Sequence, residues 1–275
     1  MKQKRLIGAL SYTLILVLTL LVVFPVLYGF LGSFKRSSEF TRLPPKLFPD
    51  TFGNVENYQT IFSQFPFAGY FGNSIITTLL TSVVKLFLAI LAAYAFVFFS
   101  FRGRRFFFIF LLGTMMLPAD TLLVANYQTV SHLGLIDHYL GICIVSFVGA
   151  SQMFMLRQAF RQAPRELREA AQLDGCGDFA FLFTILVPVT KPVVVTLFMQ
   201  SFVAQWNAYL WPLLVTNVPA MRTLQVGITM LTSTENTNYQ IVLAGTTVSM
   251  ILPVLLFILV RKRLEGSIQE GTLAN

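Results

Sequence analysis

PRELREAAQLDGCGDFAFLFTILVP, residues Pro164–Pro188, is a charged insert between two apolar runs. Its charges are concentrated before the apolar C-terminal part: Arg165, Glu166, Arg168, Glu169, Asp174 and Asp178. A loop that only connected two helices would need neither this length nor this pattern. The insert therefore favours a docking element that transmits force to a soluble partner over a passive connection.

Composition identifies the environment of the remaining chain. The 275 residues are 55% hydrophobic and 12% charged, whereas a soluble domain would carry about twice that charge. Apolar runs long enough to cross a bilayer core of about 30 Å recur along the sequence. We predict an all-α, polytopic membrane protein with about six transmembrane helices in one domain, residues 1–275. The predicted spans are Leu6–Phe34, Asn73–Phe99, Phe106–Val124, Gly141–Leu156, Val189–Val215 and Ile241–Val260.

The net charge of +8 does not indicate nucleic-acid binding, because the basic residues cluster at the ends of predicted spans. If six helices alternate, these clusters share one side of the membrane, which is the positive-inside bias with both termini cytoplasmic. The clusters are Lys2, Lys4 and Arg5; Arg102, Arg104 and Arg105; Arg157, Arg161, Arg165, Arg168 and Lys191; and Arg261, Lys262 and Arg263. The outer loop at residues 35–72 also carries basic residues and is a local exception to this bias. Within this loop, a short interfacial helix is expected around Val55–Phe65.

The sequence lacks the residue patterns of an energy-transducing or catalytic site. None of the seven lysines follows a glycine, so a P-loop for ATP is excluded. Ion-driven transporters usually carry carboxylates or histidines within their spans. Asp120 is the one carboxylate here that could couple transport to an ion gradient, so we do not favour that mechanism. His132 and His138 lack a further metal ligand beyond Asp137, and Cys143 and Cys176 have no metal-ligand spacing. We expect no catalytic residue, metal or cofactor in this chain.

Lys85 is a charged residue near the middle of the second predicted span. It either faces the helix bundle and meets a carbonyl group, or it lines a solute path as a cation that suits a polar or anionic solute.

The fifth predicted span carries two polar stripes. At about 100° per residue, one face holds Thr196, Gln200, Asn207 and Trp211, and the nearly opposite face holds Ser201, Gln205 and Tyr209. One stripe can bind a neighbouring helix and the other can line a cavity, and the sequence leaves open which does which. Trp206 and Trp211 fit either an aromatic belt or a binding role. The candidate path residues are Lys85, Gln200, Gln205, Trp206, Asn207 and Tyr209.

The charged insert has the signals of a short capped helix. Pro164 suits a first helical turn, and Glu166 lies near the positive helix end. Arg165 and Glu169 are spaced to pair, and Gly175 can supply a left-handed terminating turn. Leu167, Ala170, Ala171 and Asp174 form a narrow face of mostly small residues. A helix lying on the membrane surface is the alternative, but charges of both signs match lipid headgroups poorly.

Glu169-Ala170-Ala171, Gly175 four residues on, and Ile185 to Pro188 resemble the EAA loop of binding-protein-dependent ABC importer permeases, with Val187 where leucine is usual. Other runs resemble the carbohydrate-uptake (maltose/glycerol-3-phosphate type) branch: Asn73-Ser74, Ala92–Phe96, Phe101-Arg102-Gly103, Leu117-Pro118, Leu133-Gly134-Leu135, Trp206-Asn207 and Pro212-Leu213. The likeness extends from about residue 70 to the C-terminus. Residues 205–214, QWNAYLWPLL, look especially like the glycerol-3-phosphate permeases.

The resemblance implies a transport subunit in the inner membrane. It implies a heterodimer with a second, related permease, an extracytoplasmic solute-binding protein, and two ATPase subunits that bind ATP and Mg²⁺. The coupling loop, about residues 157–190, would dock in a cleft of the ATPase through Glu169, Ala170, Ala171, Asp174 and Gly175. The outer loop Thr216–Tyr239 would contact the binding protein, with Asn217 and Arg222 as candidates. The expected solute is an oligosaccharide or glycerol-3-phosphate; a non-carbohydrate solute and a stand-alone channel are the alternatives.

Overall fold

The computed structural model describes residues 2–44, 46–232 and 238–273, and the secondary structure in these ranges is helical. The helices are α1 Lys2–Gly32, α2 Ser37–Phe40, α3 Glu56–Gln64, α4 Phe67–Phe98, α5 Arg104–Thr114, α6 Leu123–His132, α7 Tyr139–Cys143, α8 Ala150–Gln162, α9 Arg165–Leu173, α10 Asp178–Val189, α11 Lys191–Trp206, α12 Leu210–Val215, α13 Leu224–Thr232 and α14 Tyr239–Leu273. Helix α10 includes a π-helical stretch at Phe181–Leu186. The side chains of Asp120 and Arg165 lie outside the described part of the chain.

Within the described ranges, three helices are long and apolar enough to cross a membrane: Ser11–Gly32, Phe67–Phe98 and Tyr239–Arg261. Two bent helix pairs add up to two further spans. Tyr139–Ser146 meets Ala150–Gln162 at 53°, and Asp178–Val189 meets Lys191–Trp206 at 85°. The predicted polytopic, all-helical membrane fold is therefore confirmed.

Three predicted spans are not continuous helices. Gly141–Leu156 contains the 53° bend between Ser146 and Ala150. Helix α5 ends at Thr114 and α6 begins at Leu123, so Phe106–Val124 is interrupted around Pro118. Proline has no N–H and disfavours helical geometry in the residue before it. The predicted span Val189–Val215 breaks between α11 and α12, because the ring of Pro212 would clash with the carbonyl of Ala208 in a continuous helix.

The chain forms two compact units. The first comprises Met1–Ala68 and Gly227–Leu252, and the second Gly69–Val226 and Pro253–Asn275. This division describes packing within the chain, and the single domain over residues 1–275 stays a prediction.

In the first unit, the outer segment folds back on the end of α1. The amide of Asn57 donates to the carbonyls of Ser33 and Lys35 at 2.7 and 2.9 Å. Lys35 is 2% exposed and donates to the Lys46 carbonyl at 2.6 Å. At the surface, a hydrogen bond from Lys46 lowers the pKa of the Asp50 carboxyl. Asn57 lies on α3, so the expected short helix is present and is attached through backbone acceptors.

The second unit holds the main core. It is built from buried residues of α4, α8, α9, α10 and α11: Ala89, Ile90, Ala93, Tyr94, Phe96, Met153, Leu156, Phe160, Ala171, Phe181, Leu182, Leu186 and Leu197. Both α9 and the ends of α4 and α8 are therefore positioned by one apolar cluster.

Outside this cluster, the backbone approaches Gly141 closely, and an added Cβ there would collide with the Leu135 carbonyl oxygen.

Candidate functional site

Helix α9 ends in a Schellman motif. Asp174 is the C-cap residue, and Gly175 follows it with φ +71°. The N–H of Cys176 donates to the Ala171 carbonyl at 2.8 Å, and the N–H of Gly175 donates to the Gln172 carbonyl at 3.1 Å. These are the 6→1 and 5→2 bonds of the motif. The predicted left-handed turn at Gly175 is present, and it closes α9 after nine residues.

The residues predicted to dock a partner divide between the two faces of α9. Glu169, Ala170, Asp174 and Gly175 are exposed. Ala171 is 6% exposed and belongs to the main core, which Leu167 also contacts. Four residues separate Leu167 from Ala171, so both lie on the inward side of the helix. Ala171 therefore seats α9 against this chain, while the other four lie on its accessible side.

Two large apolar side chains, which belong to no motif of the sequence, flank this accessible side. Leu173 is 90% exposed and Phe179 is 72% exposed. Their signal in the sequence is an apolar residue on each side of the left-handed turn at Gly175. Both side chains are available to a partner or to the membrane surface.

Side chains from α9 and α10 attach this segment to the last turn of α4. The guanidinium of Arg168 donates to the Phe98 carbonyl at 3.3 Å and lies 4.8 Å from the Phe98 ring centroid. It also lies 3.6 Å from the Asp178 carboxylate. The Tyr94 hydroxyl donates to the same carboxylate at 2.9 Å. This Arg168 anchor fixes both helices to one end of a membrane span.

Lys85 lies on α4 beside two groups of the segment that begins α8. A Cβ on Gly149 would lie 2.7 Å from Lys85 Cε and 3.3 Å from Gln152 Oε1. Gln152 is 4% exposed; its amide donates to the Ser201 hydroxyl, and its Oε1 has no hydrogen-bond partner within the described ranges. No ion pair among the described residues includes Lys85. Glycine at 149 is therefore what lets the lysine stem pass close to the backbone.

The two polar stripes of α11 have different surroundings. Ser201, from one stripe, is 3% exposed and holds α8 through Gln152. Gln200 and Asn207, from the other, are exposed. The Asn207 side chain donates to the Val203 carbonyl of the preceding helical turn at 2.9 Å. Ser201 thus serves helix packing, whereas Gln200 and Asn207 are available to a cavity or another surface.

The remaining candidate path residues, which lie on and after α11, also differ in exposure. Trp206 is 2% exposed and packs between Phe71 and Phe202, with ring centroids at 5.6 and 6.0 Å. Gln205 is half-buried and Tyr209 is exposed. Packing accounts for the position of Trp206, and its assignment to a solute path stays a prediction.

A second polar cluster holds the segment that follows α12. Asp137, a non-glycine residue with φ +60°, accepts the N–H groups of Asn217 and Val218 at 2.6 and 2.9 Å. Asn73 donates to the carbonyls of Ala220 and Arg222 at 2.8 and 3.0 Å. The candidate contact residues Asn217 and Arg222 are thus on a segment whose backbone is fixed by side chains from α4 and the α6–α7 connection.

Comparison with known proteins agrees with this architecture. A family model described as "Binding-protein-dependent transport system inner membrane component" matches residues 85–269. The sn-glycerol-3-phosphate transport system permease protein UgpE of Brucella melitensis biotype 1 is 33% identical over 272 residues, covering 95% of this chain and 96% of the relative. The arabinooligosaccharides transport system permease protein AraQ of Bacillus subtilis is 30% identical over 258 residues, covering 93% and 92%.

The fold also matches a solved structure. A chain of a bacterial ABC transporter involved in the import of the acidic polysaccharide alginate has a TM-score of 0.85 and 23% identity to this chain, covering 95% of this chain and 98% of its own. The family model spans more than half of the sequence, and the relatives match over nearly their full length. The chain therefore belongs to the family of binding-protein-dependent transport system inner membrane components.

Proposed function

We propose that this chain is one transmembrane subunit of an ATP-driven importer for a sugar or sugar-like solute, either an oligosaccharide or glycerol-3-phosphate. It pairs with a second, related permease, and the two chains together enclose the translocation path. The names of the relatives support this solute class, since they include permeases for glycerol-3-phosphate and for arabinooligosaccharides. The chain performs no catalysis itself.

One observation carries the proposal: α9 is a short, capped and exposed helix that is fixed to a membrane span. Glu169, Ala170, Asp174 and Gly175 dock in a cleft of an ATPase subunit, while Ala171 seats the helix on this chain. Two ATPase subunits bind ATP and Mg²⁺. Their closure moves α9, and the Arg168 anchor transmits that movement to α4.

The segment held by Asp137 and Asn73 faces a solute-binding protein outside the membrane. Asn217 is exposed there, and Arg222 is half-buried next to it. In this proposal both termini and the coupling helix lie on the cytoplasmic side of the inner membrane. The positive-inside distribution of the basic clusters supports this orientation.

The solute path of this chain uses Lys85, Gln200, Gln205, Asn207 and Tyr209. The lysine has no acidic partner among the described residues, so it suits a phosphorylated or otherwise anionic solute. The exposed amides and the Tyr209 hydroxyl also suit a neutral oligosaccharide. The solute itself is to be decided by experiment.

The test is uptake into proteoliposomes that contain this chain with its partner permease and ATPase subunits. Labelled glycerol-3-phosphate and a labelled oligosaccharide are compared, with and without ATP, Mg²⁺ and the binding protein. We expect uptake of one of them only when all three are present. Passive flux through this chain alone would instead establish a channel, and transport of neither solute would favour a non-carbohydrate substrate.

A further inference from the structure

A basic groove lies beside the Arg168 anchor, where α4 and α8 end and α5 and α9 begin. Its volume is about 770 Å³, within the range of small-molecule sites. The described residues that line it include four arginines and one acidic residue, Glu169. The arginines are Arg104, Arg157, Arg161 and Arg168.

Most of this positive charge has no counter-charge in the described part of the chain. Arg168 pairs with Asp178, and Arg104 donates to the Phe99 carbonyl at 3.2 Å. Arg157 lies over the Phe108 ring at 4.0 Å, and its Nε is buried without a hydrogen-bond partner among the described residues. Arg161 is exposed and enters no ion pair with them. Like charges that line one groove repel one another, and an anion bound between them relieves that repulsion.

The position of the groove indicates the source of the anion. Phe98 ends one candidate span, and Gln162 ends a bent helix pair that counts as another. The ends of membrane spans lie near the depth of lipid headgroups. The wall of the groove also includes the half-buried Val97, an apolar side chain that suits the first methylenes of an acyl chain. Basic pockets between membrane helices are typical sites for anionic headgroups, and guanidinium groups bind phosphate in a bidentate manner.

We propose that this groove binds the phosphate group of an anionic phospholipid, with Arg157 and Arg161 as its principal ligands. Arg168, Glu169 and Gln172 of α9 line the same groove. A bound headgroup therefore supports α9 from the membrane side and holds it in position for coupling. This last step rests on the proposed coupling function of α9: anionic lipid content then sets the coupling efficiency of the transporter.

The experiment measures lipid binding to the complete, delipidated transporter complex by native mass spectrometry during titration with phosphatidylglycerol or phosphatidylcholine. The variants are Arg161→Gln and Arg157→Gln/Arg161→Gln. Arg161→Gln alters an exposed side chain outside the core, so it preserves folding. The matched control is Arg102→Gln/Lys191→Gln, which removes two exposed charges outside the groove.

We expect phosphatidylglycerol to bind more tightly than phosphatidylcholine. Each lost arginine weakens its binding about 5-fold, or about 25-fold for the pair, while the control binds like the wild type. Equal losses in the control and the groove variants would overturn the proposal. Complete displacement by inorganic phosphate would reassign the groove to a free anion. Lipid binding only after removal of the ATPase subunits would also overturn the proposal, because it would assign the groove to the interface with the ATPase.

Discussion

Substitution of Gly175 provides the sharpest test of the proposed coupling role of α9. The free-energy cost of placing another residue in its left-handed backbone can be separated from steric effects. Its φ is +71°, and an added Cβ meets no atom within 4 Å. A side chain there therefore costs only the left-handed conformation, about 1–2 kcal/mol for alanine. Valine costs more, because β-branched residues are outliers at positive φ. The ratio of capped to uncapped α9 falls about 5–30-fold for a loss of 1–2 kcal/mol.

The assay compares uptake with ATP hydrolysis in proteoliposomes for Gly175→Asn, Gly175→Ala and Gly175→Val. Uptake should fall in that order, because asparagine tolerates the left-handed region best. Membrane insertion should stay normal, since the substituted site is exposed. The thermal unfolding midpoint of the complex should fall by no more than the backbone cost of each residue implies. ATP hydrolysis should lose its dependence on the binding protein as uptake falls.

Gly177→Ala is the matched control, since Gly177 is also exposed and open but has φ −71°. Alanine adopts that backbone without strain and should transport at the wild-type rate. Wild-type uptake by Gly175→Val would refute the reasoning. Equal impairment of Gly175→Val and Gly177→Ala would refute it too, since the left-handed turn would then not be the cause.

Three further perturbations test other contacts. Tyr94→Phe removes one hydrogen bond to the Asp178 carboxylate. This change should lower the free energy of unfolding, measured by chemical denaturation, by about 0.5–1.5 kcal/mol. An unchanged denaturation midpoint would mean that this bond contributes nothing to stability. Asp137→Ala leaves two backbone N–H groups without their acceptor and should raise the binding-protein concentration needed for half-maximal uptake, whereas Asp137→Asn, which keeps an acceptor oxygen, should be milder. Gly141→Ala forces a Cβ onto a backbone oxygen and should destabilise the protein by about 1–3 kcal/mol in thermal unfolding, whereas Gly113→Ala, which meets no atom within 4 Å, should not.

Local features of the site are predictable from sequence because their causes are local. The termination of α9 depends on six consecutive residues and on one glycine with positive φ. Apolar length alone predicts the spans that contain α1, α4 and α14. The same reasoning fails between Phe106 and Val124, since composition there is mostly apolar and the interruption depends on backbone geometry at Pro118.

Contacts between distant segments were beyond such reasoning. The bond between Tyr94 and Asp178 joins residues 84 positions apart. Sequence spacing instead suggested a local pair of Arg165 and Glu169, and the side chain of Arg165 lies outside the described residues. Helical periodicity also grouped Ala170 with Ala171 on one face. Burial separates them, because Ala171 enters the core while Ala170 stays exposed.

The anchor at the end of α4 explains how movement of a nine-residue helix can reach the membrane interior in the proposed importer. Tyr94 and Phe98 are one turn apart, so Asp178 and Arg168 hold the same turn of α4 through two different contacts. Two attachment points resist rotation as well as translation, which a single contact does not. Lys85 lies nine residues before Tyr94 on this helix, which is roughly 14 Å along the helix axis. Because α4 is continuous from Phe67 to Phe98, a displacement of α9 moves Lys85 without any intervening hinge.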